Sequence, residues 1–183
     1  MTTWEGGVRV PTIVRWPGRA PAGAVCRAPA TIMDLAPTLA KLAGTTMPDD
    51  RTIDGRDITP LITRPTEATS PHEAIYHYLF VHLQAVRSGP WKLVCPRPAK
   101  PPWCSWWALM TDAVDDWELY NLEEDIGEQH NVAGEHPEVV DRLKKLFERG
   151  RRDIGDYNLI GGRQRFFDTG AKRAESAKWL KTR

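Results

Sequence analysis

Short segments with alternating apolar and polar residues constrain the fold of this chain more than any other feature. They lie at 74–80, 83–87 and 91–94, with a fourth candidate at 117–120. A period of two is typical of half-buried β-strands. Ser88-Gly89-Pro90 supplies turn residues between the second and third segments. We therefore predict a small antiparallel meander.

One amphipathic helix follows the meander. After His136 and Pro137, apolar residues recur at helical spacing, and the stripe comprises Val139, Val140, Leu143, Leu146 and Phe147. We predict that this helix packs on the sheet and ends at Gly150. Residues 151–183 contain few aliphatic side chains and many charges, so we predict a loosely docked or flexible tail.

The first third of the chain contains one strand pattern and one helix pattern. Residues 8–15 are rich in β-branched side chains and predict a strand, preceded by a tight turn at Gly6-Gly7. Leu35, Leu39 and Leu42 have helical spacing, so we predict a helix that is capped by Asp34 and turns its leucine face into a core. Residues 52–62 predict a turn followed by a short docking element.

Composition indicates a globular protein and excludes some partners. Of the 183 residues, 41% are hydrophobic and 27% are charged, which is too apolar for a disordered chain. The 25 basic and 24 acidic residues nearly balance, so we expect no nucleic-acid partner. We also expect no membrane span, because no segment approaches the roughly 20 apolar residues that a span needs.

The three cysteines leave two alternatives open. Cys26, Cys95 and Cys104 allow at most one internal disulfide. Cys95 and Cys104 bracket a proline-rich loop and could pair in an oxidising compartment. Alternatively, both are free structural thiols.

Several motifs occur in an order that resembles the sulfatases, in the branch of arylsulfatase A and N-acetylgalactosamine-6-sulfatase. The chain opens with Met-Thr-Thr-Trp-Glu-Gly-Gly-Val-Arg-Val-Pro, and residues 34–44 and 54–62 follow in the family's order. Residues 118–131 are similar to a third family segment, except that Ile126 stands where proline is usual. The resemblance covers roughly residues 1–145.

This resemblance implies an α/β fold, namely the C-terminal fragment of an alkaline-phosphatase-like sulfatase. Residues 1–65 would form the last strand and helix of the large domain, which is incomplete here. Residues 66–150 would form a small C-terminal antiparallel sheet with a packed helix, and residues 151–183 the tail.

The resemblance also implies hydrolysis of a sulfate ester by formylglycine and calcium in the intact enzyme. No cysteine here meets the Cys/Ser-x-Pro-x-Arg signature of the nucleophile. Ser88–Lys92 is the nearest match, but lysine replaces arginine and a hairpin explains the segment better. The carboxylate doublets at 49–50 and 115–116 favour solvated turns. We therefore expect no catalytic residue, no metal and no cofactor on this chain.

The expected partner is the missing N-terminal catalytic part of the sulfatase, whose sulfate-binding lysine would lie just before Met1. A sulfated carbohydrate or an aryl sulfate would be the substrate. The alternative is a non-catalytic module that contacts another protein or a carbohydrate. The compartment is not defined, although intact family members are often periplasmic, secreted or lysosomal.

Two sets of residues are candidates for a supporting or substrate-contacting role. We predict that Glu5 and Arg9 form a bidentate pair that locks the Gly-Gly turn and supports the lysine-bearing segment. His77 and His82 are candidates for the substrate mouth, because loops of the small sheet reach over the active site in the family that the chain resembles. For the aromatic cluster three interpretations stay open, namely packing, substrate contact and oligomerisation; it comprises Trp103, Trp106 and Trp107.

Overall fold

The computed structural model describes residues 3–99 and 112–163. A four-stranded antiparallel sheet has the order β1-β2-β3-β4, and its strands are β1 (Ile75–Leu79), β2 (His82–Ser88), β3 (Trp91–Val94) and β4 (Glu118–Asn121). The predicted meander is thereby confirmed. Ser88 lies opposite Trp91, and Gly89 between them has a φ of 58°. The segment from Ser88 to Lys92 is therefore a hairpin, as predicted.

A long helix, α4 (Pro137–Asp153), covers one face of this sheet. Its buried side chains Val140, Leu143, Leu146 and Phe147 pack against strand residues that include Leu83, Val86, Leu93 and Leu119. The predicted end at Gly150 is wrong, because the helix continues to Asp153. Gly150 faces the Tyr76 ring, and a Cβ there would lie 2.4 Å from Tyr76 Cε1. This glycine permits close packing and does not end the helix.

A β-bulge reorients the middle of β2. His77 pairs with Ala85 and Tyr78 pairs with Leu83, so Gln84 is an extra residue in the register. Ala85 belongs to a second hydrophobic cluster with Val94, Val114, Tyr120 and Leu122. The face of the sheet opposite α4 therefore has its own small core.

The chain after α4 forms a two-stranded hairpin, with β5 at Gly155–Asp156 and β6 at Leu159–Ile160. Leu83 N–H donates to Asp156 Oδ1 at 3.1 Å, and Tyr78 Oη donates to the Gly155 carbonyl at 2.7 Å. These bonds attach the start of the predicted tail to the sheet. Residues 164–183 lie outside the described residues, and the division of the chain at 65 and 150 stays a prediction.

The first third of the chain differs most from its sequence-based prediction. Gly6 and Gly7 lie in a short helix, α1 (Glu5–Val8), and residues 9–16 have no regular secondary structure. The predicted turn and the predicted strand at 8–15 are both wrong. A strand needs a neighbour for its hydrogen bonds, and residues 8–15 pair with no strand in the part of the chain that the structure describes. Val10 and Ile13 are 78% and 95% exposed.

The predicted helix at 34–42 is present, but its leucine face is not buried. A 3-10 turn at Ile32–Asp34 leads into α2 (Leu35–Leu42), and α3 (Thr59–Thr63) provides the predicted short element. Leu35, Leu39 and Leu42 are 43%, 63% and 44% exposed. The prediction that this face enters a core is wrong within the described residues, because all three leucines remain substantially exposed.

Asp34 connects α2 to the linker that leads to the sheet. Its buried carboxylate accepts hydrogen bonds from Thr31 N–H and Arg56 N–H, both at 2.7 Å. His72 Nε2 lies 2.8 Å from Asp34 Oδ1. The carboxylate bonds to neighbouring segments and makes no side-chain cap to α2.

Within residues 3–99 and 112–163, every helix is too short or too polar to span a membrane.

Candidate functional site

The candidate site is a group of buried charges on the sheet face opposite α4. Lys92 in β3 is fully buried, and its ammonium contacts three acceptors. Nζ lies 2.6 Å from the Thr3 carbonyl, 3.2 Å from Glu5 Oε1 and 2.7 Å from Glu128 Oε1. A charge can be buried at tolerable cost only when it is paired in this way. Lys92 therefore holds together two segments that are distant in sequence.

We call Lys92, Glu5, Glu128 and Arg87 the Lys92 cluster. Arg87 Nη1 lies 3.4 Å from Glu5 Oε2, and Glu5 N–H donates to Glu128 Oε2. Burial lowers the pKa of Arg87, and the Glu5 carboxylate opposes that shift. Glu128 has a φ of 53°, an unusual value for a residue with a side chain. The cluster contains two cations and two carboxylates, so its net charge is zero.

The segment from Thr3 to Val8, which we call the docked segment, is attached to the sheet by more than these charges. Thr3 Oγ1 donates to Gln84 Oε1 at 3.2 Å. Trp4 packs edge-on against Tyr120, with ring centroids 5.8 Å apart, and its Nε1 donates to Asp112. Backbone, side-chain and ring contacts together hold this segment in one position.

The structure separates the two residues that sequence analysis paired. The Glu5 carboxylate contacts Lys92 and Arg87, whereas Arg9 meets Glu5 through the backbone, with its N–H 2.9 Å from the Glu5 carbonyl. The expectation of a Glu5–Arg9 side-chain pair therefore does not describe the contacts of Glu5. A supporting role for these two residues stays a prediction.

Lys92 is the residue that sequence reasoning missed. It alternates with Trp91 and Leu93, so the strand pattern places it on the sheet face opposite to those two side chains. The pattern contains no sign that another segment covers that face. Glu128, in a turn after β4, belongs to the family-like segment 118–131, but nothing in that segment indicates a contact with Lys92.

His77 and His82 occupy different surroundings. Burial, followed by the charges of Lys92 and Arg87, lowers the pKa of His77 to about 3, and its Nε2 has no hydrogen-bond partner among the described residues. Burial also lowers the pKa of His82, whose ring packs edge-on against Tyr157 at 5.0 Å. Both imidazoles are neutral at pH 7. Their contact with substrate stays a prediction.

Cys95 is a buried free thiol, and burial raises its pKa to about 12. Its Sγ lies 3.3 Å from the Leu83 carbonyl oxygen. Cys104 lies outside the described residues, as do Trp103, Trp106 and Trp107.

The carboxylates of the described ranges do not assemble into a metal site. Within 3–99 and 112–163, no group of three or more His, Cys, Asp or Glu side chains is placed to bind a metal ion. Asp50 accepts two hydrogen bonds from the side chain of the adjacent Arg51, and this hydrogen bonding lowers the pKa of Asp50.

Comparison with known proteins gives two family matches that together span residues 2–165. Residues 2–95 match the family described as N-sulphoglucosamine sulphohydrolase, C-terminal. Residues 70–165, more than half of the chain, match the family described as the C-terminal region of aryl-sulfatase. The two matched ranges follow one another along the chain and include the sulfatase-like segments at 34–44, 54–62 and 118–131.

Relatives and solved structures agree with these matches. Steryl-sulfatase of Mus musculus is 40% identical over 160 residues, covering 76% of this chain and 25% of that protein. Arylsulfatase A of Homo sapiens is 36% identical over 161 residues, covering 79% of this chain and 31% of that protein. The chain thus spans between a quarter and a third of these relatives.

The fold is also similar to that of a sulfatase of known structure. The structure of the PsFucS1 sulfatase from Pseudoalteromonas sp. superimposes with a TM-score of 0.65 and 23% identity, covering 81% of this chain and 30% of that one. This likeness concerns the fold alone. Taken with the family matches, it means that the chain belongs to the sulfatase family and has the α/β fold of the C-terminal part of its members.

Proposed function

We propose that this chain is the C-terminal part of an enzyme that hydrolyses sulfate esters. The observation that carries the proposal is the pair of overlapping family matches, which together span residues 2–165. Both family descriptions name sulfate-removing enzymes. The relatives' names support the same reaction. Its partner is the N-terminal catalytic part of the sulfatase.

The proposed substrate is an aryl or sugar sulfate. The names steryl-sulfatase and arylsulfatase A favour a sulfate on a ring alcohol. The name N-sulphoglucosamine sulphohydrolase favours a sulfated sugar. An aryl sulfate is the better first probe, because steryl-sulfatase and arylsulfatase A are 40% and 36% identical to this chain over 160 and 161 residues.

The chain itself contributes a scaffold in this proposal. The Lys92 cluster and Trp4 hold the docked segment on the sheet, so they join the sheet to whatever precedes residue 3. Formylglycine and calcium, which the family implies for the intact enzyme, would supply the nucleophile and the charge that holds the sulfate oxygens. The described residues contain no site to which either can be assigned.

A second candidate is a non-catalytic module that binds another protein or a carbohydrate. Exposed apolar side chains favour it, and they are concentrated around α2: Ile32, Met33, Leu35, Leu39 and Leu42. Surfaces of this kind mark places where another protein packs. The same surface also fits the N-terminal part of a sulfatase, so activity must separate the two candidates.

The test compares two proteins in the presence of calcium. The 183-residue chain and a chain extended upstream in the same reading frame are assayed on a chromogenic aryl sulfate. We expect turnover by the extended chain alone. Turnover by the 183 residues alone would overturn the expectation that catalytic residues lie elsewhere. If the extended chain does not turn over the aryl sulfate, it is assayed on a sulfated sugar, and no turnover of either substrate would favour the non-catalytic module.

A further inference from the structure

We infer that Lys92 is a positioning residue, whose buried ammonium orients the chain at Thr3 for binding of the sulfate group. This inference rests on the proposed function, because it concerns the site that the docked segment leads to. Lys92 does not touch substrate. It acts through the Thr3 carbonyl and the Glu5 carboxylate.

The buried ammonium of Lys92 contacts both of the segments that it joins. An ammonium group has three N–H donors. Here its three neighbours are a backbone carbonyl, a carboxylate of the docked segment and a carboxylate of the turn after β4, at 2.6, 3.2 and 2.7 Å. The Thr3 carbonyl and Glu5 Oε1 accept hydrogen bonds, whereas Glu128 Oε1 is an ion-pair contact without hydrogen-bond geometry. The ammonium group is fully buried among these three neighbours. Such an ammonium accepts one arrangement of these segments and penalises others.

Stability alone is a poor explanation for the Lys92 cluster. Replacing a buried ion pair with apolar side chains of similar volume is often neutral or stabilising. What buried ion pairs can provide is one defined register between the segments that they join. Here the register concerns the docked segment and the sheet.

Two contacts of Thr3 define the direction of the chain at that residue. Its carbonyl is held by Lys92, and its hydroxyl donates to Gln84, the bulged residue of β2. Ties through both the backbone and the side chain define the direction in which the chain enters the sheet face. Under the proposed function, the catalytic part precedes this point, so a shift of Thr3 shifts the groups that hold the sulfate. Misplacement of about 1 Å at such groups is enough to reduce catalysis strongly.

The variant for the test must remove the contacts of Lys92 with the docked segment without leaving an unpaired buried charge. Lys92→Met alone leaves two buried carboxylates against Arg87 and is expected to unfold the protein. Lys92→Met/Glu128→Gln keeps the net charge of the cluster at zero, and the amide oxygen introduced by the second substitution can still accept from Glu5 N–H. The matched control is Val140→Ala, which lies in the core on the opposite face of the sheet and does not touch the docked segment.

The experiment uses the chain extended upstream and three measurements. Hydrogen exchange follows the amides of residues 3–8, steady-state kinetics on a chromogenic aryl sulfate give kcat and KM, and thermal shift with inorganic sulfate reports anion binding without turnover. For the double variant we expect cooperative unfolding, exchange at residues 3–8 faster by about tenfold or more, and KM raised by about tenfold with a smaller sulfate-induced shift in Tm. Val140→Ala should lower Tm and leave KM unchanged.

Two outcomes would overturn the inference. Unchanged exchange at residues 3–8 would show that Lys92 does not order the docked segment. Faster exchange with unchanged KM and an unchanged sulfate shift would reduce the cluster to structural support. Failure of the proposed function gives a different result. In that case the unsubstituted extended chain neither hydrolyses sulfate esters nor shows a sulfate-induced shift in Tm. Hydrogen exchange at residues 3–8 still shows whether the Lys92 cluster orders the docked segment.

Discussion

At the scale of single residues, burial sets the charge state of side chains that the sequence presents as ordinary titratable groups. His77 has a pKa of about 3 in the fold, because its ring is buried beside Lys92 and Arg87. Cys95 has a pKa of about 12, mainly because of burial. Both groups are neutral at pH 7. Each therefore contributes a pH dependence of stability whose sign follows from its shift.

For His77, stability should fall as pH decreases from about 6.5 towards 3. In that window the unfolded chain binds a proton at its ordinary pKa of 6.5, whereas the folded chain does not. The limiting slope is about 1.4 kcal/mol per pH unit. His77→Leu should remove about 1–2 kcal/mol of the loss between pH 7 and pH 5, measured by urea unfolding. The exposed His130→Gln is the control, and equal slopes in all three proteins would contradict the assignment.

For Cys95, the prediction concerns reactivity. The thiol stays protonated in the fold well above the ordinary pKa of 9.0, so stability is lost only as pH rises above about 9, where the unfolded chain releases the proton. Iodoacetamide at pH 8.5 should label Cys95 at least about 100-fold more slowly in the native chain than in urea. Fragmentation of the labelled peptides separates Cys95 from Cys26 and Cys104. Rapid native labelling of Cys95 would show that the sheet opens there.

At the scale of elements, Gly150 shows how packing can reverse a sequence rule. A glycine near the end of an apolar stripe usually marks the end of the helix. Here α4 continues past it to Asp153, and the Tyr76 ring fills the space that a Cβ would occupy. Tyr76 Oη also donates to the Leu146 carbonyl at 3.2 Å. The glycine thus belongs to the contact between α4 and β1.

Gly150→Ala should therefore destabilise the chain, although alanine is the better helix former. Helix propensity alone predicts a gain of about 1 kcal/mol. The contact with the Tyr76 ring should outweigh it and give a net loss of about 1–3 kcal/mol by denaturant unfolding. Gly134→Ala, where a Cβ meets no atom within 4 Å, should change stability little. Adding Tyr76→Leu should relieve most of the loss, and a stabilised Gly150→Ala protein would refute this packing argument.

At the scale of the whole molecule, the two parts of the chain bury their apolar residues unequally. The sheet and α4 enclose a continuous core, whereas α2 and the residues before it expose many apolar side chains. The chain covers 25% of steryl-sulfatase and 31% of arylsulfatase A. We attribute the exposed surface to the contact with the proposed catalytic part.

The isolated 183 residues should therefore self-associate through α2. Leu35→Glu/Leu39→Lys should reduce the concentration-dependent mass seen by sedimentation velocity without lowering Tm, because these side chains are about half exposed. In the upstream-extended chain the same pair should lower Tm. Ile126→Lys, at an exposed position in a turn outside α2, is the matched control. Equal association of the unsubstituted chain and the α2 variant would contradict this use of the surface.

The sequence by itself determined the elements whose signals are local. Period-two alternation located the four strands, Gly89-Pro90 the hairpin, and helical spacing α2 and α4; the ordered motifs indicated the family. Alternation and turn chemistry depend on neighbours within a few residues, so they can be read without the fold.

Only the tertiary structure decided how Lys92, Gly150 and the docked segment are used. Lys92 lies 87 positions from Glu5 along the chain, and Gly150 is specified by a ring of β1. The strand predicted at 8–15 lacked a neighbour, which no local pattern could reveal. Burial, charge pairing and strand pairing are properties of segments brought together by folding, so the local sequence around each residue does not contain them.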